Sequence, residues 1–392
     1  MFYQFPEIRN ISDVLPAIEG SPEFIVADRG NYTIINYVVS TPDTFPPVTD
    51  LHSAIRRECR GLIFRNSDGA IIRRPLNKFF NINQIAETQA NLIDLSHPHH
   101  ILEKLDGSMI APYNTENKVI FGTKMGDTDV ATFAQDFVKT RPQYMDAFHT
   151  ADANGWTLVF EFCSRKQRIV IDHPEDQMIL TAIRNIKTGE YLDYYEMVGF
   201  GAYHEIPVVK TFPVNNHTNI DDIMAFILAQ EGSEGVVIRF ANGMQVKAKS
   251  DWYCAIHGAK EAITEEKNVV RMIIDEVMDD TKALLLQDDR DNLDRYERDF
   301  WKRVRSYSNV MLDLVLNNIN TYSTKKDYAL GRAQKDDDYV RVTTFKVFDT
   351  EELSTVTMMG HVVDRFIRPN LNNRTKFGVM KQKIFPNQRL YL

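Results

Sequence analysis

Two spacings of apolar residues divide this sequence and restrict it to a mixed architecture. From Tyr32 to Trp252, apolar residues alternate with polar ones or run in short blocks between turns, as strands require. Beyond Cys254, Leu293, Tyr296, Phe300, Val304, Tyr307, Met311 and Leu314 recur at steps of three and four, the stripe of an amphipathic helix. The division predicts an α+β fold, with a domain of antiparallel sheets and helices over residues 1–254 and an all-α domain over residues 255–392. At 392 residues the chain is long enough for two such cores.

Strands are predicted over Tyr32 to Val39, at the apolar end of the run Arg57 to Phe64 with a hairpin partner from Ala70, and over Lys118 to Lys124, Trp156 to Phe162, Arg168 to Ile171, and Met178 to Arg184. A loop containing Pro42, Pro46 and Pro47 follows the first of these. The last pair, Glu234 to Phe240 and Met244 to Lys249, is turned by Ala241-Asn242-Gly243. One helix is predicted from about Asp129 to Phe148. The stretch Ile101-Leu102-Glu103-Lys104-Leu105-Asp106-Gly107-Ser108-Met109-Ile110 reads as strand, tight turn, strand. Asp106-Gly107 is a common hairpin turn, and Lys104 stands at the strand end, facing whatever cleft the neighbouring strands form.

Composition narrows the class. An apolar fraction of 43% and a charged fraction of 26% are those of an ordinary soluble globular protein, and no apolar run would span a bilayer. The start Met1-Phe2-Tyr3-Gln4-Phe5-Pro6 lacks the basic and apolar regions of a secretory signal. Cys59, Cys163 and Cys254 lie far apart without zinc spacing, so reduced thiols and a cytoplasmic location are expected. The net charge of -8 argues against a general nucleic-acid coat while leaving room for a local basic cleft.

Charged residues at predicted strand ends carry the chemistry: Arg60, Lys78, Lys104, Asp106, Lys124, Glu161, Glu234, Lys247 and Lys249. Each alone is more often a solvated rim charge. Together, cations with a few carboxylates suit a polyphosphate and its divalent metal. Lys247 and Lys249 alternate onto one face of their strand.

In order, Lys104-Leu105-Asp106-Gly107-Ser108, Glu161-Phe162, Glu234-Gly235-Val236-Val237 and Lys247-Ala248-Lys249 resemble the nucleotidyltransferase motifs of covalent ligases and capping enzymes. Glu58-Cys59-Arg60-Gly61, Lys78-Phe79-Phe80-Asn81 and Lys249-Ser250-Asp251-Trp252-Tyr253 are similar, more narrowly, to the phage RNA ligase 1 family. The likeness covers roughly residues 32 to 257 and is weaker in the helical part.

The resemblance implies an ATP-dependent RNA ligase that joins 5′-phosphate and 3′-hydroxyl ends of single-stranded RNA through lysyl-AMP and AMP-RNA intermediates. Lys104 would be the nucleophile, with Arg60, Lys124, Lys247 and Lys249 as further catalytic cations. Lys78, Phe80, Asp106, Gly107, Glu161 and Glu234 would bind ATP, Phe80 by stacking on adenine unless it is a core residue. Asp106 would hold the ribose or the nucleophile's turn, and Glu161 and Glu234 would hold Mg2+ or Mn2+. The family further implies a phage-encoded monomer in the host cytoplasm, tRNA repair beside an end-healing kinase and phosphatase, no membrane partner, and a helical domain that chooses the RNA. The rivals are a DNA ligase, a capping guanylyltransferase, and a non-catalytic RNA-binding protein on the same scaffold.

Three other features remain. His97, His99 and His100 are expected in a polar loop, and Asp336-Asp337-Asp338 with Asp288, Asp289 and Asp291 as solvated loop charge, although either acidic run could hold a second metal. After Asp364 the chain carries Arg365, Arg368, Arg374, Lys376, Lys381, Lys383 and Arg389 with Phe366, Phe377, Phe385 and Tyr391 between them. That mixture suits either an RNA-binding tail or a packed end with a basic surface.

Overall fold

The computed structural model describes residues 5–41, 43–116, 118–212, 219–348 and 353–390. The expectations for Met1 to Gln4, Pro42 and Tyr391 therefore lie outside the described residues. The chain divides into two compact units, Met1–Cys254 and Ala255–Leu392.

Among the described residues, the first unit holds three four-stranded sheets. Strands β1 (Phe24–Asp28), β2 (Tyr32–Tyr37), β3 (Arg60–Arg65) and β4 (Ile71–Arg73) form an antiparallel sheet in sequence order. The other strands are β5 (Phe80–Asn81), β6 (His99–Lys104), β7 (Ser108–Asn114), β8 (Val119–Gly122), β9 (Trp156–Cys163), β10 (Gln177–Asn185), β11 (Gly235–Phe240) and β12 (Gln245–Lys249). They make two sheets, ordered β10-β9-β7-β8 and β5-β12-β11-β6. Buried apolar positions on these strands, such as Ile34, Leu62, Phe160, Val236 and Ile238, supply the sheet cores.

The turn after Lys104 departs from the expected hairpin. β6 and β7 do not pair: β6 pairs with β11 and β7 with β8 and β9, so residues 105–107 step from one sheet to another. Asp106 explains the difference, because its carboxylate binds neighbouring loop backbone and Tyr253 and so fixes the step between sheets. Its Oδ2 accepts from the N–H of Val170 at 2.8 Å and of Ile171 at 2.7 Å, and its Oδ1 from Tyr253 Oη at 2.7 Å. Arg168 to Ile171 is accordingly loop and not the predicted strand. The predicted single helix is two, Asp129–Lys139 and Gln143–Ala153, because Pro142 lacks the N–H that a continuous helix needs. Helices at Tyr194–Tyr203 and Ile220–Leu228 were not expected from the sequence pattern.

A fully buried ion cluster ties this unit together. The Glu58 carboxylate ends the helix Leu51–Glu58 and accepts from Arg74 Nε at 3.0 Å and from Arg184 Nη1 and Nη2 at 2.7 and 2.9 Å. The remaining guanidinium N–H groups reach carbonyls of Pro6, Pro75, Lys187 and Gly189.

The second unit is helical. Its longest helix, Gln287–Thr321, buries Leu293, Tyr296, Phe300, Val304, Ser308, Met311, Val315 and Asn318. The stripe thus follows the predicted spacing, except that Ser308 and Val315 are buried where Tyr307 and Leu314 were expected; Leu314 is exposed and Tyr307 only partly buried. Asp288 and Asp289 lie in the first turn of this helix, not in a loop, where the helix dipole favours negative charge. Asp291 accepts from Gln287 one turn earlier. Asp336 is also no solvated charge, for it accepts from Asn318 and Arg332 at 2.7 Å and from Tyr328 at 2.8 Å. Asp337 caps the helix Asp338–Val347 and pairs with Lys383, while Asp338 pairs with Arg341.

The basic end of the chain reads as packed structure. Phe366, Phe377 and Phe385 are core residues, and Phe366 stacks on Tyr339 at 3.8 Å. Lys381 pairs with Glu266 and Arg368 with Asp275. Among the described residues no helix is long and apolar enough to cross a membrane.

Candidate active site

The site is built on three rows of side chains that strand pairing places side by side. Register sets Lys104 beside Gly235 and Lys249, then Leu102 beside Val237 and Lys247, then His100 beside Arg239 and Gln245. Paired residues share a face, so the expected alternation of Lys247 and Lys249 becomes a basic floor. Gly235 makes the first row possible: its φ is +139°, and a Cβ there would lie 2.0 Å from the Ala248 carbonyl oxygen. Gly107 permits a similar approach, since its Cβ would lie 2.6 Å from the Phe162 carbonyl oxygen.

Above this floor is a cleft of about 570 Å³, bordered by Arg60, Phe79, Lys104, Lys124, Glu161 and Lys247. Lys104 Nζ lies 2.7 Å from Glu234 Oε1, and Lys249 Nζ lies 3.1 Å from the same oxygen. Glu234 is buried beneath the two cations. Burial, together with the neighbouring charges of Lys104, Arg60, Lys78 and Lys249, pushes the Lys247 ammonium down to about 7. Burial pushes the Glu161 carboxyl up to about 7; Glu234 and Asp106 add to the rise, while Lys104 and Arg60 oppose it.

The remaining cations gather around a ring not singled out from sequence. Lys124 Nζ lies 4.5 Å and Lys78 Nζ 5.0 Å from the centre of the Tyr37 ring. Burial would raise the Tyr37 phenol, but Arg60, Lys78 and Lys124 overcome it and hold the group below its usual range. Burial lowers the Lys78 ammonium, and Arg60 and Lys124 assist. Strand parity alone would not have found Tyr37, because the pairing with β3 shifts register between Ile35 and Asn36 and brings Asn36 opposite Arg60.

Two expected ligand contacts are corrected. Phe80 is 5% exposed, lies in the core against Phe45, and sits under the Arg57 guanidinium at 4.9 Å, so it does not border the cleft. Its neighbour Phe79 does, with Lys247 Nζ 5.5 Å from its ring; adjacent strand residues face opposite ways. Asp106 is 3% exposed with both oxygens engaged, so it holds the turn that follows Lys104 and is not at hand for a ribose. Tyr253→Phe removes one of those donors and is expected to destabilise the protein by about 2 kcal/mol in urea denaturation, the usual worth of a hydrogen bond to a charged group.

The histidines do not share the expected polar loop. His99 and His100 belong to β6, and the His100 ring packs 4.9 Å from that of Tyr194. Among the described residues no group of three or more His, Cys, Asp or Glu is placed to hold a metal ion.

A sequence model of the RNA ligase family matches residues 58–253. The chain is 26% identical over 268 residues to the "Putative RNA ligase" of Thermovibrio ammonificans, covering 66% of each. It is 25% identical over 191 residues to RNA ligase 1 of bacteriophage TS2126, covering 47% of each. The matches thus span just under two thirds and about half the length of these relatives. Among solved structures, an archaeal ATP-dependent RNA ligase aligns with a TM-score of 0.42 and 14% identity, covering 62% of either chain.

Proposed function

The chain belongs to the phage RNA ligase 1 family, and on that premise we propose that it is an ATP-dependent ligase of single-stranded RNA whose nucleophile is Lys104. The observation that carries this reading is the meeting of Lys104 and Lys249 on one oxygen of buried Glu234. The reaction needs a lysine that can lose its proton, a base beside it, and fixed positive charge where the α-phosphate sits.

In the first step the Lys104 Nζ lone pair attacks the α-phosphorus of ATP. A P–N bond forms, the P–O bond to the β-phosphate breaks, and pyrophosphate leaves. Glu234 Oε1, 2.7 Å away, is the nearest acceptor for the lysine proton. Lys249 then keeps a cation on Glu234 and on the reacting phosphate, while Lys247 meets the α-phosphate from the next row. Arg60, Lys78 and Lys124, gathered at Tyr37, are suited to the leaving pyrophosphate. In the second step a 5′-phosphate oxygen of RNA takes the AMP and the P–N bond breaks. In the third a 3′-hydroxyl attacks that phosphate and AMP leaves.

Glu161 and Glu234 would hold Mg2+ or Mn2+. Two hard carboxylates, with no third such ligand among the described residues, match an ion that completes its shell with substrate phosphates and water. When bound, such an ion neutralises charge on the triphosphate. We further propose that the helical unit selects the RNA and that the setting is repair of broken tRNA beside an end-healing kinase and phosphatase, in the cytoplasm of an infected cell; the family is the support for these. Incubation with ATP and a 5′-phosphorylated single-stranded RNA tests the reading, the expected products being circular RNA and an AMP-capped intermediate. GTP-dependent labelling, or joining of nicked DNA alone, would sink it.

The charge balance of the cleft predicts a pH dependence. As pH falls through about 7, Lys247 gains a proton and Glu161 loses its negative charge, and both changes favour a polyanion. Metal-free ATP is expected to bind about tenfold tighter at about pH 6 than at about pH 8. Calorimetric titration checks this, and Lys247→Met combined with Glu161→Gln should flatten the profile.

A further inference from the structure

Gln245 opens β12 and is 5% exposed on the inner side of the cleft. Its Oε1 accepts from Arg239 Nε at 3.3 Å. Arg239 is held in turn, donating Nη2 to the Thr181 carbonyl at 3.0 Å and lying 5.0 Å from the centre of the Tyr191 ring. A guanidinium can only donate, so the oxygen of Gln245 must face it and the amide NH2 must point away. That Nε2 is buried and has no hydrogen-bond partner among the described residues. An orphaned buried donor is rare in native structures and calls for an explanation.

The surroundings say what would satisfy it. Gln245 shares its face with Lys247, two residues or about 6.8 Å along the strand from the phosphate end. Leu102, Val209 and Val237 border the same cleft, so the unsatisfied amide of Gln245 lies among apolar side chains. A flat heteroaromatic ring with an acceptor on its rim fits such a place. A sugar, with hydroxyls on every side, does not.

We infer that the Gln245 Nε2–H donates to N1 of the adenine ring and so selects adenine over guanine. Both purines carry acceptors at N3 and N7, whereas N1 is an acceptor in adenine and a protonated donor in guanine. A fixed donor therefore favours adenine only at N1; at position 6 it would favour the carbonyl of guanine over the amino group of adenine. Arg239 and Thr181 act through Gln245 as positioning groups. The inference rests on the ATP-dependent reading above.

The test is equilibrium binding of ATP, of its 1-deaza, 3-deaza and 7-deaza analogues, and of GTP to the full chain, beside covalent labelling. The parent should bind 1-deaza-ATP about tenfold more weakly than ATP, the usual effect of losing one neutral hydrogen bond in a closed site. Gln245→Leu should weaken ATP by the same factor while leaving 1-deaza-ATP unchanged. Gln245→Glu keeps the contact with Arg239 and replaces the donor by an acceptor, so it should move preference toward GTP. Equal weakening of every nucleotide by both variants, or an effect that follows the 3-deaza or 7-deaza analogue, overturns the assignment. A parent that shows the 1-deaza penalty yet takes no covalent label overturns the ligase reading and leaves this inference standing.

Discussion

Lys104→Ala is expected to lower covalent labelling by ATP radiolabelled at the α-phosphate by more than about a thousandfold, because the variant lacks the amine that forms the P–N bond. The parent should carry acid-labile, base-stable label through denaturation, and the variant none. The protein should survive the change. Glu234 keeps Lys249 at 3.1 Å, so no buried carboxylate is stranded. Lys104→Arg adds a control: it restores a cation beside Glu234 but holds its proton too tightly to attack. A rival lies in the same cleft, since the Lys247 ammonium, pushed down to about 7, sheds its proton readily. Peptide mapping of the labelled parent decides between the two. Label on Lys247, persisting in Lys104→Ala, would falsify the assignment and make Lys104 the supporting cation.

That rivalry shows what sequence could and could not supply. The order of motifs singled out Lys104, and strand alternation gave Lys247 and Lys249 a common face. Neither revealed that Lys104 and Lys249 share one oxygen, because that depends on pairing with β11, which lies some 130 residues along the chain from Lys104. The supposed hairpin failed for a related reason. A turn pair such as Asp106-Gly107 is read locally, but its strands were claimed by different sheets through partners far along the chain. Phe80 and Phe79 were a question of parity that two short strand residues could not settle. The acidic runs were misread because capping and pairing, as at Asp336 and Asp337, do not show in composition. Tyr37 and Gln245 had no motif at all. Their environments come from neighbouring strands, and only the assembled cleft exposes them.

The largest stability effect is expected at Glu58. Glu58→Gln leaves Arg74 and Arg184, both fully buried, facing each other without a carboxylate, and breaking a buried pair in this way costs about 3–5 kcal/mol. Urea titration read by hydrogen exchange at the β10 amides checks the loss where Arg184 sits. Removing a cation as well should recover part of it, so Glu58→Gln with Arg184→Met should cost less than the sum of the single changes. The pH dependence has a definite sign. Burial would raise the Glu58 carboxyl, but Arg184 and Arg74 outweigh it, so its folded value lies below the unfolded one. Its contribution is therefore complete above the ordinary Glu value of about 4.3 and is lost as pH falls through the lower folded value. Parent and variant should differ by a constant amount near neutrality and converge in acid; a difference that instead grows on acidification would mean that Glu58 is not the anion of this cluster. Because Glu58 stands two residues before Arg60, at the entry to β3, surviving variant molecules should also bind ATP more weakly. The buried cluster thereby fixes the strand that carries a cation into the cleft.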